Sequence, residues 1–319
     1  MTVFDGHSDL LYDVTRRRLR GETHVLERCH LQNLRDGGVE GLVLALWVSR
    51  TEDSFWDRVL GGETDRGRTA LMLRCMREEL AECPELALVR TVREAEEAKA
   101  AGKLYAFLGV EGMASVGREA VAGVDGYADL GARLAMLTWN EENALATGAG
   151  GDPGKGLTAL GKQAVRRMQE RGMLVDVSHL NGGGFRDVVG MTNGPIIASH
   201  SNCRALCNVR RNLDDDQLRA IRDTGGLVGL NVYHGFVHED PAQQTIELLA
   251  RHAAHMADVM GVEHVAFGFD FCEYMGDPGA KGLDNASCVP KLLRALQKLG
   301  MHSGELEQIS RGNFLRLLK

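Results

Sequence analysis

In this chain of 319 residues, His7, Asp9, Glu111, His179 and His200 each stand just past a short apolar run. Side chains of these types can ligate divalent cations. A donor set of nitrogen and oxygen without sulfur suits zinc, and also manganese, cobalt or iron. Two ions sharing a carboxylate and a water would bring the pKa of that water toward neutrality, so that hydroxide becomes available for hydrolysis. Asp270 occupies the same kind of position and is placed to accept the nucleophile's proton and pass it to a leaving amine.

Taken singly, each residue has an ordinary explanation. His7 and Asp9 would share one face of an extended segment, because strand side chains repeat every second residue; either could instead cap the helix that follows. A lone histidine after an apolar run is commonly a hydrogen-bonded structural residue. Two of them, in Asp176-Val177-Ser178-His179 and Ala198-Ser199-His200-Ser201, shift the balance toward ligands. Glu111, after Phe107-Leu108-Gly109-Val110, would lose most of its solvation at a buried strand end. A bridging position between two cations compensates that loss, and an ion pair with an arginine is the alternative. Asp270 could simply cap the loop beyond it.

What joins these residues is where they sit on the elements that must position them. Eight short apolar runs read as strands: Val3 to Asp5, Leu42 to Val48, Leu104 to Val110, Arg133 to Thr138, Met173 to Val177, Pro195 to Ser199, Leu227 to Val232 and His264 to Phe269. Apart from the first they are continuous rather than alternating, as in strands covered on both faces. Helical periodicity fills the intervals. Thr158 is expected to cap a helix running to Arg171 before Gly172, Asp214 to cap one ending before Gly225-Gly226, and a third to run from Pro290 to Leu299 before Gly300. No glycine-rich phosphate turn follows the first strand, so a doubly wound sheet is disfavoured. The pattern predicts a single α/β domain over residues 1–319, a (β/α)8 TIM-type barrel. The glycine cluster Gly148 to Gly156 reads as a long surface loop. In such barrels chemistry gathers at the C-terminal strand ends. There stand His7 and Asp9, Glu111, Trp139 and Asn140, His179, His200, Asn231 and Tyr233, and Asp270; only the second strand end offers nothing polar.

Composition limits the other possibilities. A net charge of −7 argues against a nucleic-acid partner, which usually calls for a basic face. Seven scattered cysteines have neither zinc-knuckle nor disulfide-framework spacing and read as reduced thiols. The start of the chain leaves no room for a secretory signal, and the longest apolar stretch, Gly41 to Val48, is far short of the roughly 20 residues of a membrane span. These features predict a cytoplasmic protein that binds neither membrane nor nucleic acid.

The segments Asp5-Gly6-His7-Ser8-Asp9, Gly109-Val110-Glu111-Gly112, Asp176-Val177-Ser178-His179, Ser199-His200-Ser201, Arg210-Arg211-Asn212 and Gly268-Phe269-Asp270-Phe271 occur in one order. In this the chain resembles the membrane (renal) dipeptidase family of zinc peptidases, within the amidohydrolase-like barrels, in a form without secretion or lipid-anchor signals. The likeness runs nearly to the end, through Gly312-Asn313-Phe314-Leu315-Arg316. It implies two zinc ions, with His7 and Asp9 on the first, Glu111 bridging, and His179 and His200 on the second. It also implies that Arg211 holds the free carboxylate of a dipeptide, for which a guanidinium fork is suited; by itself Arg211 reads as a surface arginine beside Asp214 to Asp216. A homodimer is a further implication.

The chain departs from the family at Leu137-Thr138-Trp139-Asn140, where mammalian members carry a histidine that touches the substrate. Trp139 has one N–H donor and no titratable proton. Trp139 and Tyr233 are expected to line the substrate pocket, and Phe271-Cys272-Glu273 to reshape it. The expected activity is hydrolysis of free dipeptides, including those with a D-residue at the C-terminal position. N-acyl amino acids, lactams or lactones are alternative substrates, and a non-catalytic metal-binding barrel is the reading from another class.

Overall fold

The computed structural model describes residues 1–48 and 64–319. Among them the strands are β1 (Val3–Ser8), β2 (Val39–Trp47), β3 (Leu86–Leu88), β4 (Leu104–Glu111), β5 (Ala132–Met136), β6 (Leu174–Asp176), β7 (Ile196–Ala198), β8 (Leu227–Leu230) and β9 (Val265–Phe267). These strands all pair in parallel, in the order β1-β2-β4-β5-β6-β7-β8-β9, with β3 added at the side of β4. Helices alternate with the strands, giving a nearly closed eight-stranded (β/α)8 barrel with β3 outside it. At the seam, Phe269 N donates to Asp5 Oδ1 at 2.8 Å and Asp270 N donates to His7 O at 3.2 Å.

The barrel interior is a second core, separate from the one between strands and helices. Phe4, Val43, Phe107, Leu134, Ile197 and Leu227 fill its lower half with their partners. The helix Asn313–Leu317 closes the bottom, placing the Phe314 ring 5.2 Å from that of Phe4. Above this layer the inward positions become small or polar, which leaves space for a site. Ser199 O lies against Gly229 and Gly268, where a Cβ on either glycine would overlap that carbonyl. Gly268→Ala is expected to lower unfolding stability by about 2–3 kcal/mol, because the obstacle is backbone that cannot rotate away. Urea denaturation of metal-free wild type and variant measures this.

The expected helices are present. Thr158 Oγ1 accepts from Gly161 N at the start of Ala159–Glu170, and Asp214 caps Asp215–Asp223 in a capping box with Gln217. The third spans Val289–Lys298, followed by Gly300 at φ +97°. Other readings change: β3 is an additional strand, and most strands are shorter or shifted relative to the apolar runs. β2 begins at Val39, three residues before the apolar run suggests. The glycine cluster is mostly surface, but its first residues are not: Gly148 and Ala149 are buried together with Leu145 to Thr147 before them, whereas Gly150 and Asp152 to Lys155 are exposed. No helix among the described residues is long and apolar enough to cross a membrane.

Candidate metal centre

Local folding brings the strand-end residues to one place. In β1, Asp5 pairs with Leu42 and Ser8 with Leu44, so one extra residue is inserted. This bulge re-aims His7 into the barrel mouth. Asp9 then opens the turn into the helix Leu10–Arg18, so the pair converges through a bulge and a turn rather than by simple strand alternation. Glu111 ends β4 on the face that carries Tyr105 and Phe107 into the barrel. His179 and His200 follow β6 and β7. Asp176 Oδ1 accepts from Ser178 N, Ser178 Oγ and Ser199 N at 3.0, 2.7 and 3.1 Å, tying the two loops that carry these histidines. Asp5 serves the β9 to β1 seam in the same way, and Asn202 Oδ1 accepts from Asn231 N at 3.0 Å.

Donor bookkeeping at Arg211 and Asn140 points to one state of His179. Arginine has only donors, so Arg211 Nη2, 3.1 Å from His179 Nε2, requires a lone pair on that nitrogen. His179 Nδ1 therefore carries the proton and donates to Asn140 Oδ1 at 2.9 Å. Yet the Nε2 lone pair lies 2.7 Å from Glu111 Oε1 and 2.9 Å from His200 Nε2. On the other side, His7 Nε2, Asp9 Oδ1 and Glu111 Oε2 are buried with no hydrogen-bond partner among the described residues. His7 Nε2 is 3.4 Å from Glu111 Oε2 and 3.7 Å from Asp9 Oδ1. Two groups of acceptors thus face inward, each containing one oxygen of Glu111. A proton on Glu111 would relieve the contact with His179 but leave the other group orphaned. Cations fit both. Alternative sharing is also within reach, since His7, Glu111 and His200 lie close enough for one ion, as do His7, Asp9 and Asp270.

Electrostatics without cations shows the same strain. Burial, then the charge of Asp9, pushes the Glu111 carboxyl well above the usual carboxylate range. Burial pulls His7 down, but Glu111 and Asp9 outweigh it and raise the imidazole. Burial holds His179 and His200 well below ordinary histidine, which keeps them neutral. Asp270 is raised to about 6 by burial against the attraction of His7. Asn231 Nδ2 donates to its Oδ2 at 3.0 Å, and its backbone adopts φ +58°, a conformation aspartate tolerates better than most residues.

A cleft of about 590 Å3 opens above these groups. Trp139 stands on its wall with ring centre 5.9 Å from His179 and 5.5 Å from Trp47, and Tyr233 lines the opposite side with Phe236. Arg211 is buried at the cleft floor rather than on the surface, with Nη1 donating to Ser178 O at 2.9 Å and the guanidinium 5.2 Å from the Phe236 ring centre. Arg210 is exposed, its Nη1 donating to Gly151 O at 3.3 Å. The sequence places Asn140 at a strand end without a specific role, and gives no functional role to Trp47, Asp5 or Asp176. Trp47 ends β2, the strand end without a polar residue, and its position alone was the available signal.

The whole chain, residues 1–319, matches the membrane dipeptidase family, peptidase family M19. The chain belongs to this family. It is 36% identical over 225 residues to an uncharacterized dipeptidase of Schizosaccharomyces pombe, covering 68% of this chain and 53% of that protein. It is 31% identical over 220 residues to the dipeptidase aclJ of Aspergillus oryzae, covering 68% and 51%. The matches thus span about half the length of these two fungal proteins. A metallopeptidase from Rhodobacter sphaeroides, solved with a phosphinate mimic of the dipeptide L-Ala-D-Ala, superposes with TM-score 0.87 at 25% identity, covering 100% of this chain and 98% of that one. The family M19 dipeptidase AC gives 0.86 at 25% identity, covering 100% and 98%. Membership makes the chain a metallopeptidase-type hydrolase fold with divalent metal binding.

Proposed function

We propose that this protein is a dipeptidase that hydrolyses the peptide bond of free dipeptides at a two-ion centre, with zinc as the metal. His7, Asp9 and Glu111 Oε2 would hold one ion, and Glu111 Oε1, His179 and His200 the other. The supporting observation is the division of buried acceptors into two groups that share Glu111. Bound there, divalent cations supply Lewis-acid polarisation of the scissile carbonyl and acidification of water to hydroxide near neutral pH. The chain's own residues do the rest. Arg211 presents a buried charge for a substrate carboxylate, and its existing hydrogen bonds to the loops of His179 and His200 set the distance between carboxylate and metals. Trp47 and Trp139 exclude water from one side. Asp270, steadied by Asn231, takes and returns the proton. The Trp139 indole can donate a hydrogen bond to a developing oxyanion but moves no proton.

The test is metal analysis with a substrate panel of L,L and L,D dipeptides, N-acyl amino acids and lactones. Turnover of free dipeptides, lost on chelation and restored by zinc, is expected. The L,D members deserve inclusion because the Rhodobacter relative was solved with an L-Ala-D-Ala mimic. Full dipeptidase activity after thorough chelation, or hydrolysis confined to blocked amines, would overturn the reading.

A further inference from the structure

We propose that Asn140 is a positioning residue for the metal centre, fixing the His179 imidazole in the tautomer and rotation that one of the two ions requires; this rests on the two-ion reading above. The amide oxygen of Asn140 accepts from His179 Nδ1 at 2.9 Å. An acceptor there forces the proton onto Nδ1 and leaves the lone pair on Nε2, the atom that faces Glu111 and His200. Arg211 Nη2, a donor 3.1 Å from Nε2, fits the same tautomer, whereas Glu111 Oε1 at 2.7 Å would accept from the other one, so the Asn140 acceptor decides the balance. Partners of this kind on the non-ligating nitrogen tune ligand basicity as well as orientation.

Asn140 is anchored through its backbone by the glycine-rich loop. Gly150 N donates to Asn140 O at 3.0 Å, and the preceding residue in that loop, Ala149, donates its N–H to His179 O at 2.8 Å. The glycine-rich loop therefore grips Asn140 and His179 together. Gly148 permits this approach, since a Cβ there would overlap the Trp139 carbonyl and crowd Asn140 backbone. His200 shows a different solution. Its Nδ1 lies 2.9 Å from Ser199 Oγ, a rotatable hydroxyl that can accept or donate and so fixes no tautomer. Of these two histidines, His179 is the one whose Nδ1 faces an amide oxygen rather than a rotatable hydroxyl.

The experiment compares wild type, Asn140→Ala and Asn140→Asp by zinc competition against a chromophoric chelator. Imidazole 1H–15N spectra of the metal-free proteins give a second readout. The alanine variant keeps the backbone carbonyl that Gly150 grips, so the loop has its anchor. It is expected to bind one ion about 10–100-fold more weakly while the other is unchanged. Its His179 resonances should move from pure Nδ1–H toward a tautomer mixture. Asn140→Asp, which keeps the acceptor, should restore both. Zinc affinities and tautomer in Asn140→Ala identical to wild type would overturn the proposal, as would failure of the aspartate to restore either. Wild type that binds a single ion would defeat the two-ion reading instead, and the same comparison on that ion still decides the role of Asn140.

Discussion

Glu111→Gln is expected to reduce kcat/KM on a good dipeptide by at least about 10³-fold, because in the proposed two-ion centre Glu111 is the bridge, and losing it would remove several kcal/mol of transition-state stabilisation. Glutamine is nearly isosteric, but it brings one neutral oxygen where two charged ones face two groups of ligands. Its amide nitrogen would point a donor at a position meant for a cation. The same variant makes a less obvious prediction about stability. In metal-free protein, Glu111 is a buried carboxylate beside Asp9, pushed strongly toward its neutral form. Removing that charge should leave metal-free Glu111→Gln at least as stable as metal-free wild type. Saturating zinc should then raise the midpoint of thermal unfolding in wild type far more than in the variant, since only ligand bound to the native state adds stability. Differential scanning calorimetry with and without chelator reads both effects. Equal zinc stabilisation of the two proteins would remove Glu111 from the metal centre.

That the same residue could be picked from sequence reflects a real physical regularity. A carboxylate at the end of a continuous apolar strand has few affordable environments, so Glu111 and the histidines after β6 and β7 were legible from position. His7 and Asp9 were found for a partly different reason than the one that places them, since a bulge in β1 rather than strand alternation turns His7 inward. The strand count was also legible, except for β3, whose three residues at the barrel's side carry too short a pattern to register. Strand lengths were not. The sequence runs through Phe269, Val232 and Ser199 stay apolar or small, yet backbone pairing stops earlier. There Asp5, Asp176, Asn202 and Asn231 take over the backbone donors with their side chains. Those polar residues look like ordinary loop composition in one dimension. Their meaning lies in contacts between neighbouring strands distant in sequence, which spacing cannot show. The buried start of the glycine cluster, Gly148 and Ala149, escapes sequence reading for a related reason: glycine permits both an exposed loop and close backbone approach.

Asp270→Asn separates the proton-transfer role from the metal-binding one. Asparagine preserves the shape, tolerates the left-handed backbone conformation at this position and can still accept from Asn231 Nδ2. Folding should therefore survive, whereas a β-branched or bulky residue would be strained. The variant cannot accept a proton, and kcat is expected to fall about 10²–10⁴-fold, the range of general acid–base contributions, with a much smaller change in KM. The pH dependence follows from the sign of the shift. Without cations, burial holds Asp270 at about 6. A base acts when ionised, so activity should rise with pH through this group's pKa and be lost below it. Bound cations favour the carboxylate, which places the acidic limb of the zinc-loaded enzyme at or below about 6. In Asp270→Asn that limb should be absent from the residual activity. Metal content decides between roles, because His7, Asp9 and Asp270 also lie within reach of a common ion. Two ions retained with kcat lost assigns Asp270 to the proton, while loss of one ion assigns it to the ligand set. Wild-type kcat with an unchanged acidic limb would exclude both.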